Sequence, residues 1–197
     1  MHRYRYMTAE DVTYLRARFA GFHHLQHSLA LTRMLVAAEI WSGKQEDYKL
    51  EITQTAYDLA RLREMKQAPL AIPDAWLLFM KKERKYPILL EIDMGSENIN
   101  KFKEHILARI ELIQSGKYEE IFGISAVLIS YVGVGESSRL SVMTKWAEDI
   151  LKEQGLEEWG QIFKIGYVNL SQIYNLNLFT DRIWRQPFTK IPAPLLE

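Results

Sequence analysis

Apolar residues recur every three or four positions in three long segments of the chain, and this spacing predicts amphipathic helices. The first segment covers residues 22–41 and carries two apolar stripes, which indicates packing on two sides. The second follows Ser96, and the third follows Ser137 or Ser138; each of these serines is a candidate N-terminal cap. A shorter helix is expected around residues 57–62.

Segments rich in β-branched and aromatic residues separate these helices. They predict strands at residues 48–53, 72–80, 86–93, 123–132 and 161–169. The segment 123–132 is almost continuously apolar, as expected for a strand that is covered on both faces. The pattern therefore predicts an α/β fold with a mixed central sheet flanked by helices.

The composition excludes several classes of functional site. The chain has 197 residues, a formal net charge of zero and no cysteine, which excludes disulfides, thiolate zinc sites and cysteine nucleophiles. No stretch approaches the roughly 18 apolar residues of a membrane span, and a cytoplasmic protein without a membrane partner is expected. We expect a helical segment at residues 1–20 and one α/β domain at residues 21–197.

Three carboxylates lie in the apolar hairpin predicted at residues 72–93. Asp74 starts the first strand, whereas Glu91 and Asp93 end the second. A turn of even length pairs Asp74 with Asp93 and brings all three to one face, whereas an odd-length turn sends Asp74 to the other face. Buried carboxylates need a hydrogen bond, a cation or a metal.

Carboxylates from adjacent strands are the ligands that hard cations prefer, so Asp74, Glu91 and Asp93 are candidate ligands of Mg²⁺ or Mn²⁺. Metal-dependent phosphodiester cleavage also uses a lysine that stabilises the developing charge. Lys103, at the edge of the next helix's apolar stripe, fits this role better than Lys101. In the alternative interpretation, Asp74 forms a turn, and Glu91 and Asp93 face solvent and pair with lysines.

Other patterns indicate weaker candidate sites. His23 and His27 have the i, i+4 spacing of zinc ligands. The segment from Gly133 to Arg139 could accept a phosphate at the start of a helix.

Basic residues cluster at two places that could contact a nucleic acid: Lys81, Lys82, Arg84 and Lys85 at the hairpin tip, and Arg182 and Arg185 around Trp184. A charged tip also protects a sheet edge from aggregation.

The chain resembles the replication-relaxation family of plasmid and mobile-element proteins, whose core is similar to the PD-(D/E)xK nuclease fold. The resemblance rests on these motifs: His24-x-x-His27, Glu51, Pro73-Asp74-Ala75, Glu91-x-Asp93-x-Gly-Ser-Glu97, Lys103 and Asp181-Arg-Ile-Trp184. The order of the predicted elements also matches the nuclease core of one helix, three strands, a helix and a strand.

The resemblance implies DNA binding in replication or relaxation, with Asp74 and Glu91 as metal ligands and Glu39 or Glu51 as helpers. Asp93 stands where an active nuclease of this type has its lysine, so either Lys103 substitutes or cleavage is lost. Loss of cleavage leaves a nuclease-fold scaffold that forms a homodimer or contacts replication or transfer proteins. Residues 1–20 resemble the end of the family's winged helix.

Overall fold

The computed structural model describes residues 22–62, 65, 71–95, 97–135, 137–171, 173–175 and 177–196. The α-helices of this part are α1 (Phe22–Gly43), α2 (Ala56–Leu59), α3 (Ile99–Gln114), α4 (Lys117–Phe122) and α5 (Ser138–Glu153). The strands are β1 (Tyr48–Thr55), β2 (Ala75–Lys81), β3 (Arg84–Asp93), β4 (Leu128–Val134) and β5 (Phe163–Val168). Short 3-10 helices span Glu157–Ile162 and Ile173–Asn175. The predicted segment 1–20 lies outside the described residues.

The five strands form one open sheet in the order β1-β2-β3-β4-β5. The β1–β2 and β2–β3 pairs are antiparallel, whereas β4 is parallel to β3 and β5 is parallel to β4. Helices cover both faces of this sheet. The prediction of an α/β fold with a mixed sheet flanked by helices is therefore confirmed.

Two elements are shorter than the sequence pattern indicates. The helix expected at residues 57–62 is a single turn, α2, at whose start Asp58 Oδ2 accepts hydrogen bonds from the backbone N–H and the hydroxyl of Thr55. The strand expected at residues 123–132 begins only at Leu128. Gly123, its first expected residue, instead ends α4 with a φ of +66°. Glycine tolerates this left-handed conformation, which interrupts an extended chain.

Each face of the sheet carries its own hydrophobic core, because successive side chains of a strand point to opposite faces. Leu77 and Leu90 belong to the core under α1, which the C-terminal segment also covers. Trp76 and Leu89 belong to the core under α3 and α5. Burial on both faces explains why β2 and β3 read as unbroken apolar runs.

Of the two apolar stripes on α1, only one is packed in the described part of the chain. Met34 and Trp41 of this stripe are buried. The other stripe, formed by Leu25, Leu29, Val36 and Ile40, is between 39% and 58% exposed. α1 is 22 residues long, yet no helix within the described residues combines the length and the apolar character needed to cross a lipid bilayer.

Candidate functional site

The turn between β2 and β3 sets the position of the hairpin carboxylates. It consists of Lys82 and Glu83, and Lys82 adopts a φ of +56°. Two-residue hairpin turns require a positive φ at their first position. The resulting register brings Asp74 level with Glu91. The expected pairing of Asp74 with Asp93 is therefore wrong by two residues, although the even-length turn still brings Asp74 and the β3 carboxylates to one edge.

Asp74, just before β2, contacts both β3 and α1 at this edge of the sheet. Its Oδ2 accepts a 2.8 Å hydrogen bond from the Ile92 backbone N–H of β3. His27 of α1 reaches the same place, with Nε2 3.1 Å from Asp74 Oδ2 and 3.1 Å from the Ile92 carbonyl oxygen. The hydrogen bond with Asp74 raises the pKa of His27, and partial burial opposes this rise. Asp74 thereby continues the β2–β3 pairing and holds α1 against it.

Glu91 is bound by a buried arginine. Arg109 of α3 is 0% exposed, and its Nη2 donates to Glu91 Oε1. Its Nη1 donates to the His105 carbonyl oxygen at 3.0 Å and to the Tyr131 hydroxyl at 3.2 Å. Burial raises the pKa of Glu91 to about 8, against the opposing effect of the Arg109 guanidinium. Arg109 thus supplies the charge compensation that a carboxylate needs in an apolar strand.

Asp93 is bound by a second arginine, from the first turn of α5. Arg139 Nε donates to Asp93 Oδ2, and its Nη2 donates to the Glu97 carbonyl oxygen at 2.6 Å. The other oxygen of Asp93 accepts the Gly95 backbone N–H at 3.1 Å. Arg139 therefore binds both the Asp93 carboxylate and the loop between β3 and α3.

Glu91 is 9% exposed and Asp93 is 4% exposed. The alternative interpretation, in which both carboxylates face solvent and pair with lysines of the turn, is therefore wrong.

The lysine at the acidic edge is Lys101, whereas the sequence favoured Lys103. Lys101 lines the cavity beside the carboxylates. Lys103 Nζ donates to Glu153 of α5 at 2.8 Å. The two positions lie about 200° apart around the helix, so only one of them can face the strand ends. Lys103 lies on the flank of α3 that packs against α5.

These side chains surround a cavity of about 300 Å³, which is the lower end of the size range of ligand-binding pockets. Its polar lining comes from His27, Asp74, Glu91, Asp93, Glu97, Lys101 and His105. Glu97 and His105 form their own pair, with Nδ1 3.0 Å from Oε1. The cavity therefore contains acids and cations together.

The two proposed helper acids lie elsewhere. Glu39 is exposed on α1, twelve residues after His27 and therefore about 18 Å further along the helix axis. Glu51 is exposed on the edge strand β1, at a register irregularity, and its Oε1 lies 2.9 Å from Lys49 Nζ. Neither residue lines the cavity.

Two of the weaker candidate residues are not available for their proposed contacts, and the side chain of a third is not described. Trp184 is 0% exposed and donates its indole N–H to the Leu178 carbonyl oxygen at 2.7 Å, so it cannot stack on a base. Arg139 is bound to Asp93, which removes it from the proposed phosphate site near Gly135. The side chain of His23 lies outside the described residues.

A divalent cation is the group that the family resemblance implies at this edge. Mg²⁺ and Mn²⁺ bind oxygen ligands whose negative charge is free to compensate their own. Here guanidinium groups already contact Glu91 and Asp93. Within the described residues, no group of three or more His, Asp or Glu side chains could hold a metal ion. As arranged, these side chains do not fit a divalent cation.

The sequence interpretation missed the two arginines as partners of the carboxylates. Arg109 lies seven residues after Phe102 and three after Ile106, on the apolar stripe of α3. A cation on such a stripe indicates a buried ion pair, so this partner could have been found. Arg139 gave no comparable signal, because the first turn of α5 is mostly polar.

The acidic edge thus combines four carboxylates with Arg109, Arg139, Lys101 and the half-buried His27. Buried ion pairs in a cavity are typical of functional sites as well as of structural networks. Comparison of the chain with protein-family models, with curated proteins and with solved structures finds no match.

Proposed function

We propose that this chain has a nuclease-like core of the PD-(D/E)xK type and serves a plasmid or mobile element as a DNA-binding protein in replication or relaxation. The order of elements supports this fold: α1, the antiparallel strands β1 to β3, α3, and β4 parallel to β3. Asp74 precedes β2, and Glu91-x-Asp93 ends β3. Asp74 and Glu91 are at the positions that the family resemblance implies for the metal ligands, whereas Asp93 replaces the lysine of an active nuclease.

The observation that carries the proposal is the pairing of both β3 carboxylates with arginines of the same chain. A metal ion at Glu91 would either share the carboxylate with the Arg109 guanidinium or displace that guanidinium, which would then be buried without its partner. Loss of one member of a buried ion pair costs about 3–5 kcal/mol. The pairing therefore favours a nuclease-like core without metal-dependent cleavage, and DNA binding is proposed on the family resemblance.

DNA binding is tested by fluorescence anisotropy with a labelled 30-base-pair duplex and a single strand of the same length, at several salt concentrations. We expect binding of at least one of them that weakens as salt increases, because phosphate contacts release counterions.

In parallel, a supercoiled plasmid is incubated with the protein and Mg²⁺ or Mn²⁺, and calorimetry measures the binding of each ion. We expect neither nicking nor ion binding.

Two results would contradict the proposal in different ways. Metal-dependent nicking that Asp74→Asn abolishes would show an active nuclease, and the non-cleaving role would be rejected. Failure to bind either DNA would reject the DNA role itself. A stable homodimer in light scattering would then favour the scaffold function instead.

A further inference from the structure

A second cavity, of about 410 Å³, lies at the opposite end of the sheet. It opens where β3 begins, near Arg84 and Lys85, and the acidic edge lies where β3 ends. The ten residues of β3 separate the two cavities by roughly 30 Å. The second cavity is therefore independent of the carboxylates described above.

The polar lining of the second cavity differs in charge from that of the first. Arg84, Lys85 and Lys164 line it, and no carboxylate does so among the residues that the structure describes. Lys164 is only 9% exposed, and its Nζ lies 3.0 Å from the Gln186 side-chain oxygen. Gln161 also lines the cavity. Arg84 and Lys85 thus offer positive charge to an anion, beside the neutral amides of Gln161 and Gln186.

The neighbouring hairpin tip extends this positive charge. Lys81 and Lys82 lie at the turn, with Glu83 between the basic pairs and Asp47 close enough to influence Lys81. Arg84 stacks over the Tyr86 ring, 4.8 Å from its centroid. This stacking orients the guanidinium plane and leaves its edge available for bidentate hydrogen bonds. Arginine in this arrangement matches the oxygens of a phosphate group.

We propose that the second cavity binds a phosphate group through Arg84 and Lys85, and that this phosphate is supplied by a DNA backbone or by free phosphate or a nucleotide. If the phosphate belongs to DNA, this inference rests on the proposed function, whereas binding of free phosphate or a nucleotide does not depend on it. The inference assigns DNA contact to the basic end of the sheet, because the cations at the acidic edge already contact carboxylates. Val127 and Leu195 supply apolar lining to the second cavity.

The test compares Arg84→Gln/Lys85→Gln with the control Lys117→Gln/Lys152→Gln. The control removes two exposed positive charges from α4 and α5. Anisotropy measures duplex affinity against salt, and NMR measures amide shifts on titration with inorganic phosphate or AMP. Both variants change exposed side chains, and circular dichroism verifies that they fold.

We expect the Arg84/Lys85 variant to lose at least tenfold in duplex affinity. We also expect the slope of log K against log salt to flatten by about two units, since each lost phosphate contact contributes about 0.9. The control should keep the wild-type slope. Phosphate or AMP should shift amides at the starts of β3 and β5 in the wild type and the control, but not in the variant.

The outcomes separate this inference from the proposed function. Phosphate shifts at the cavity without DNA binding would support the site with free phosphate as its source, and would reject the DNA role. DNA binding that the Arg84/Lys85 variant leaves unchanged, with no phosphate shifts at the cavity, would overturn the site and leave the DNA role intact.

Discussion

Replacement of Arg109 by methionine removes a fully buried guanidinium and leaves a side chain of similar length. Opposite charges about 4 Å apart attract by roughly 4 kcal/mol at an effective dielectric constant of about 20. Burial has already cost both groups their hydration, so loss of one partner leaves that cost uncompensated. For Arg109→Met at pH 9, where Glu91 is ionised, we expect a loss of about 3–5 kcal/mol in the free energy of unfolding.

Simultaneous replacement of both partners should cost less than the single change. In Glu91→Leu/Arg109→Met no charge remains buried without a partner, and apolar substitutes of similar volume are often tolerated. The Tyr131 hydroxyl and the His105 carbonyl oxygen still lose their bonds to Arg109, at about 1 kcal/mol each. We therefore expect a loss of about 2 kcal/mol for the double variant.

The assay is equilibrium unfolding in urea, followed by circular dichroism and tryptophan fluorescence, with coincident transitions as the criterion for two-state behaviour. Lys145→Met serves as the control. It breaks the exposed pair with Asp149, in which Nζ lies 2.6 Å from Oδ1, and it should leave stability close to that of the wild type.

The penalty of Arg109→Met should also be larger at pH 9 than at pH 6. Without Arg109, burial raises the pKa of Glu91 beyond about 8. The folded variant then holds a proton that its unfolded state releases, so its stability falls further as pH rises. The reasoning is refuted if the effects of Glu91→Leu and Arg109→Met are simply additive, or if the penalty is independent of pH.

Three further changes have defined outcomes. Between pH 4.5 and about 8, the Glu91 carboxyl keeps its proton in the folded state and loses it in the unfolded state, so wild-type stability falls as pH rises. Glu91→Gln should remove this fall, as measured by urea unfolding at several pH values. Asp74→Asn should return the pKa of His27 toward 6.5 in an NMR titration. It should also remove the stabilisation from this contact, which is complete below pH 6.5 and is lost as pH rises through the raised pKa of His27. An unchanged His27 titration would contradict the contact. Gly166→Ala should cost about 1–3 kcal/mol in thermal unfolding, because its Cβ would lie 2.7 Å from the buried Trp184 ring; wild-type stability would show that the ring can move.

Each helix and strand predicted between residues 22 and 169 corresponds to an observed element, although several boundaries differ. The apolar spacing of α3 and α5 follows directly from helical geometry, and the apolar runs of β2 and β3 follow from burial on two faces. Predictions that depended on one local conformation were weaker. β4 begins at Leu128 and not at residue 123, and the turn at Lys82 and Glu83 gives a hairpin register that differs by two residues from the expected one.

The candidate site was only partly determined by the sequence. Asp74, Glu91 and Asp93 could be selected because carboxylates in apolar strands require compensation. The nature of that compensation depends on residues from α1, α3 and α5, at sequence separations of 18 to 47 positions. No local pattern specifies which cation reaches which carboxylate.

An α/β chain with acids at the ends of two adjacent strands follows from the residue pattern, because periodicity and turn positions are local properties. The binding of those acids by Arg109 and Arg139, the position of Lys101 at the cavity and the burial of Trp184 follow from the packing of the folded chain. The physical reason is that ion pairing and burial depend on how helices pack across the sheet.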